Sequence, residues 1–136
     1  MNKRVIIGFS VTVITALPLS IFLTTHLQLF GSMLGFFVSG LVGGYLSKID
    51  EMKAFLIGFT GSLLACLLGI ATLLAVANSP AETLEPLVYV ASYVLWLNVG
   101  SPINLVPVVV MLGGIGGVTG GATNIWRKKR KKEIKL

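Results

Sequence analysis

A chain of 136 residues is short enough to form a single domain. Apolar residues make up 54% of it and charged residues 12%, well below the roughly 25% charge of soluble domains, so lipid is the expected solvent. A net charge of +6 would ordinarily raise nucleic acid as a partner, but seven of the eleven bases sit in the last ten residues. The basicity therefore belongs to a tail, and no nucleic-acid partner is expected.

Lys3 and Arg4 precede an apolar stretch over residues 5–24. That stretch has about the 20 residues needed to cross the hydrocarbon of a bilayer and exceeds the 7–15 apolar residues typical of a secretory signal. It is predicted to be an uncleaved first span, with Pro18 as a kink toward its outer end. A short polar turn over residues 25–29 carries His26, the chain's one histidine, expected to be solvated there. A second span is predicted over 29–46, followed by a charged turn over 47–53. Asp50 and Glu51 in that turn suit the positive N-terminal end of a third span, 54–77. A fourth span is predicted over 104–126, and residues 127–136 form a basic tail.

Residues 86–97 are apolar but number about a dozen, too few for a span. On a helix, Tyr89, Ser92, Tyr93 and Trp96 share one face, and Leu87, Val90, Val94 and Leu97 another. Polar-tipped aromatics favour headgroup depth, so a short helix lying in the outer interface is expected. Counting it as a fifth span would put the tail on the outer side. The bases argue otherwise, because they cluster at Lys3–Arg4, Lys48–Lys53 and Arg127–Lys135, while residues 25–29 and 78–103 hold none. That alternation predicts an all-α protein of four spans in the cell membrane with both termini in the cytoplasm.

Two pairs of segments suggest a duplicated unit. Residues 4–10 align on 54–60, with Lys3 on Lys53, and residues 40–44 align on 117–121. Together they suggest two parallel helical hairpins related by an axis along the membrane normal.

Small residues recur at every fourth position. The rows are Gly8, Thr12, Ala16 and Ser20; Gly31, Gly35, Ser39 and Gly43; Ala54, Gly58, Ser62 and Cys66; and Gly61, Ala65 and Gly69. The fourth span carries Gly113, Gly117 and Gly121 beside Gly116, Gly120 and Asn124. In lipid, helix association depends on close packing, which small residues allow. Helix packing is thus the expected role of Gly8, Gly31, Gly35, Gly43, Gly58, Gly61, Gly69, Gly113, Gly117 and Gly121. With small rows on two faces, the fourth span is the first candidate for contact with a second copy.

Chemical sites are sparse. The run Gly113–Gly121 lacks the Lys-Ser/Thr and the strand of a phosphate-binding loop. Cys66 is expected to pack as a small apolar residue. Glu82 and Glu85 are bare of neighbouring bases and give only a weak cation-site reading. The four spans contain no Asp, Glu, Lys, Arg or His, the groups on which ion coupling and intramembrane catalysis usually rest. No catalytic residue, cofactor or metal is expected. The bases Arg127, Lys128, Lys129, Arg130, Lys131 and Lys132 directly follow Trp126, and such clusters attract anionic lipid headgroups.

The motif Gly-x-x-Gly-Gly-Tyr at 40–45 before a charged turn, Gly-Phe-Thr-Gly at 58–61, and a glycine-rich last span ending in bases resemble a group of small archaeal four-helix membrane proteins of unknown function. That resemblance implies membrane helices and no activity. A non-enzymatic structural or accessory subunit of a membrane assembly, as a homo-oligomer or within a larger complex, is the leading expectation. A small pore or a holin-like permeabilising protein is the alternative.

Overall fold

The computed structural model describes residues 2–78, 85–100 and 104–134. Glu82 and Lys135 lie outside the described residues. The elements are α1 (Lys3–Leu27), α2 (Leu29–Ser47), α3 (Glu51–Ala77), α4 (Glu85–Leu95), a π-helical turn (Trp96–Gly100) and α5 (Val106–Ile134). Helices α1, α2, α3 and α5 are each long and apolar enough to cross a membrane. The chain is therefore built as a multi-pass membrane protein. Helix is the form expected of such segments, because in hydrocarbon each backbone N–H and C=O must be satisfied within its own segment.

The helices run past the apolar spans at most ends. The first starts at Lys3, where the Asn2 side chain accepts from the Arg4 N–H at 3.3 Å. It passes through Pro18 without interruption and carries His26 in its last turn, with the ring edge-on to Phe22 at 5.2 Å. The expected turn over 25–29 shrinks to Gln28 alone, at φ 50° and ψ −128°. Lys48 ends α2 in the left-handed conformation. Asp50 caps α3 through its backbone carbonyl, which accepts from Ala54 at 2.8 Å. The last helix begins at Val106, whose N–H bonds the Asn104 side chain at 3.0 Å. It continues through the basic residues to Ile134, so the segment after Trp126 is helical and not a loose tail.

In the bundle, α1 packs on α2 and α3, α5 packs on the same two helices, and α2 also meets α3 across the middle. The small residues lie along these seams. A Cβ on Gly8 would stand 2.5 Å from the Gly43 carbonyl, and one on Gly61 2.8 Å from Thr12. On Gly31 and Gly35 it would strike the α1 backbone at Leu23 and Ser20. Gly40, Gly44 and Gly58 all abut α5 backbone at Gly113 or Gly117. Gly69 faces Val94 of α4, and Gly121 faces Ala54, at 2.6 and 2.8 Å to the same notional atom. Between these backbone contacts sits a compact apolar layer of Ala16, Phe36, Ala65, Cys66, Val109 and Val110.

Both small rows of α5 have partners inside the chain. Gly113 and Gly117 meet α3 and also Gly40 and Gly44 of α2, Gly121 meets α3, and Gly116 and Gly120 meet Phe37 and Leu41 of α2. Neither row is left as surplus surface, contrary to the expectation that one of them would be free for a second copy. The hairpin repeat also differs in register from the aligned sequence. Gly43 aligns on Gly120, yet Gly43 packs on Thr12 while the equivalent Ser62 packs on Gly113. The second hairpin is thus slid by two turns.

Helix α4 packs on α3 and, at fewer points, on α1. At about 1.5 Å per residue its eleven residues measure roughly 16 Å, half the hydrocarbon thickness. Its buried face is Ala91, Tyr93 and Val94, continued by Leu97. Tyr93 has therefore left the aromatic face expected for it and turned into the bundle, while Tyr89 stays exposed. Tyr93, Leu97 and Leu105 form a second apolar cluster against Leu17, Ile21 and Met33. The Tyr93 hydroxyl donates to Ser32 Oγ at 3.0 Å, which gives a buried phenol the partner it requires.

Two measurements follow from these contacts. Gly40→Ala should gain up to about 1 kcal/mol of helix propensity but lose about 1–3 kcal/mol or more to overpacking against the Gly113 carbonyl. Thermal unfolding in detergent should drop for Gly40→Ala and hold for the same test at exposed Ile115. Tyr93→Phe and Ser32→Ala should each cost about 1 kcal/mol, and the double variant little more than either alone.

Candidate anion-binding cleft

At the end of the bundle opposite α4, three helix ends converge. The first turn of α1 brings Arg4, the end of α2 brings Tyr45 and Lys48, and the final turns of α5 bring Asn124, Arg127, Lys128 and Lys131. These side chains line a cleft of about 210 Å3. The helical continuation of α5 creates this arrangement. On a helix, 124, 127, 128 and 131 fall on one face by the i, i+3, i+4, i+7 rule, and that face looks toward α2.

Two hydrogen bonds fix the cleft floor. Asn124 is buried, and its Nδ2 donates to the Tyr45 carbonyl at 2.8 Å. It thereby satisfies one of the carbonyls left without a partner in the last turn of α2. Arg127 Nη1 donates to the Tyr45 hydroxyl. One edge of the guanidinium is thus held by tyrosine, and its remaining N–H groups stay available. Among the described residues, no carboxylate lines the cleft. Asp50, the nearest acid in sequence to Lys48, pairs with Lys53 at 3.3 Å in an exposed bridge.

The structure divides the six predicted tail bases. Arg127, Lys128 and Lys131 line the cleft, while Lys129, Arg130 and Lys132 do not. Arg130 lies over the exposed Trp126 ring, 4.6 Å from its centroid, a cation–π geometry. Arg4, Tyr45, Lys48 and Asn124 complete the site and were not among the expected headgroup contacts. The signal for Arg4, Tyr45 and Lys48 was available in the topology, since four spans return the start of α1 and the end of α2 to the side of the tail. The predicted packing glycines all lie away from the cleft, in the seams between helices.

The buried hydroxyls have other work. Thr12, Ser20, Ser39 and Ser47 each donate to a carbonyl of their own helix, at 3.0, 2.9, 2.9 and 2.8 Å. Ser62 Oγ is buried without a partner. A larger concavity of about 470 Å3 opens between α1, α3 and α4, lined mainly by apolar groups such as Leu17, Pro18, Leu68 and Pro86.

The model of a family described as a family of unknown function (DUF5518) matches residues 2–123. No curated protein and no solved structure matches. The matched stretch takes in Arg4, Tyr45 and Lys48 and stops one residue before Asn124.

Because Asn124 ties α5 to α2, Asn124→Ala should leave the Tyr45 carbonyl unpaired and cost about 1 kcal/mol or more. The check is the unfolding midpoint in detergent, with exposed Thr123→Ala as the neutral reference.

Proposed function

The chain belongs to the DUF5518 family of unknown function, which carries no activity over to it, and on the geometry of its own bundle we propose a non-enzymatic membrane protein, structural or accessory to a larger membrane assembly. The observation that carries this reading is the closed centre of the bundle. Backbone of α2 and α3 meets backbone of α5 at Gly40, Gly44 and Gly58, so the axis is filled by main chain. A solute path along that axis would have to separate helices whose contact leaves no room for a methyl group.

The polar inventory supports the absence of catalysis. The buried hydroxyls of Thr12, Ser20, Ser39 and Ser47 are spent on their own helix backbone, and a hydroxyl needs an adjacent base to act as a nucleophile. The four spans supply no such base. In this reading the protein sits in the cell membrane with both termini cytoplasmic, as the distribution of bases favours. The helical basic extension then lies at the inner leaflet, where it meets anionic headgroups. In the same reading α4, packed on α3, lies toward the outer side. Self-association or docking to a partner would use the apolar outer surfaces, since the glycine rows are occupied within the chain.

The competing reading, a pore or holin-like protein, needs a conduit between copies. Reconstituted into liposomes loaded with a self-quenching dye, the purified protein should release no more dye than protein-free liposomes. Extraction from the native membrane in mild detergent should bring down a partner in fixed ratio. Dye release that scales with protein would overturn the structural reading. A reporter fused after Leu136 should score cytoplasmic.

A further inference from the structure

The cleft at the basic end holds five cations, Arg4, Lys48, Arg127, Lys128 and Lys131, with no acid among its lining residues. They arrive from three different helices. A run of bases on a free tail spreads its charges apart in water. Here the fold does the reverse, gathering like charges around one concavity and anchoring one of them, Arg127, through the Tyr45 hydroxyl. Like charges held together raise the energy of the empty site, and an anion in the centre relieves it.

The donor set narrows the class of anion. Arg127 presents a planar fork suited to bidentate contact with phosphoryl oxygens. Three lysines add compact charges with rotatable donors, and the Tyr45 hydroxyl, accepting from Arg127, keeps its own hydrogen to donate. A volume of about 210 Å3 suits one phosphate group with some of its water and is small for a nucleotide. Basic pockets between the inner ends of membrane helices are a known form of phospholipid headgroup site.

We propose that the cleft between Arg4, Tyr45, Lys48, Arg127, Lys128 and Lys131 binds a single phosphate group, one per chain. The proposal rests on the reading of the basic end as an anion-facing surface and sharpens it, because only half of the tail bases take part. Lys129 and Lys132 are outside the cleft, and Arg130 is drawn to Trp126. Diffuse attraction to a charged membrane would count all six alike. A built site counts three of them, together with Arg4 and Lys48 from the other end of the sequence.

The test compares two double variants of equal charge. Lys48→Gln with Arg127→Gln removes two cleft cations, and Lys129→Gln with Lys132→Gln removes two cations outside it. Each full-length protein, in neutral phosphatidylcholine nanodiscs, is titrated with inorganic phosphate by calorimetry. In a second arm, nanodiscs carry phosphatidic acid as their one anionic lipid, and lipid retained per chain is counted by native mass spectrometry. Unfolding midpoints confirm that both variants are folded, and single Lys48→Gln serves if the double cleft variant is not. Saturable binding near one phosphate per chain is expected, weakened about tenfold or more in the cleft variant, as about 1 kcal/mol per charge implies. The outer variant should stay within about threefold of the unaltered protein. Binding in the first arm identifies a free phosphate compound as the source, and binding in the second arm alone identifies a lipid. Equal losses in the two variants would overturn the site while leaving the anion-facing surface intact. Absence of binding in both arms would overturn both.

Discussion

Helix association inside a membrane has no water to expel, so this fold depends on how closely its backbones can approach. Lipid tails are as apolar as leucine, and exchanging one for the other gains little. Dispersion between atoms in contact is individually small and falls off steeply with a gap. The seams of this protein respond by removing side chains. Where α5 meets α2 and α3, the glycine carbonyls of one helix lie against the Cα atoms of the next. The apolar layer around Phe36 and Val109 fills what space remains. Everything else in the molecule is arranged around that closed centre. Many of the leucines and isoleucines are exposed, as suits a protein whose solvent is lipid.

Much of this was legible in the residues because membrane crossing imposes a length and a polarity that apolar runs display openly. Four long apolar helices are present, as expected, and the rows at Gly8–Ser20, Gly31–Gly43 and Ala54–Cys66 are buried throughout. The helix ends were less legible. A run such as Arg127–Lys132 reads as a stop to the span, yet lysine and arginine are good helix formers and nothing there breaks the backbone. Tyr93 was placed on the wrong face because aromatic periodicity in residues 86–97 offers two stripes of similar quality. The Tyr93 hydroxyl meets Ser32, sixty-one residues away, a contact that periodicity does not reveal. The register of the second hairpin was hidden for a related reason. Its glycines are alike in sequence, and only the contact of Ser62 with Gly113 shows the slide.

The basic end illustrates how a composition becomes a geometry. As a count of charges, the tail says only which side of the membrane it prefers. Continuing α5 as a helix converts that count into faces, one turned to Tyr45 and Lys48 and the others to solvent or to Trp126. Arg4 joins from the far end of the sequence because an even number of crossings brings it back to the same side. Three residues of the cleft, Arg4, Tyr45 and Lys48, could therefore be reached from topology, but Asn124 could not. It reads as a member of a small-residue row, while its amide is what binds the two helices at the cleft floor.

The connection between α1 and α2 has a further consequence for how the molecule is assembled. With Gln28 as the one residue between them, the two helices share a hinge with almost no slack. Neither can enter the bilayer, tilt or withdraw without dragging its partner. The second pair is joined through a much longer connection, residues 78–105, which includes α4. The first hairpin is thereby suited to insert as a preformed wedge and to offer its finished surface as a template. Helix α3 and then α5 can be laid against it in turn, with α4 packed on α3. The shortest link in the chain would then set the order in which the rest is built.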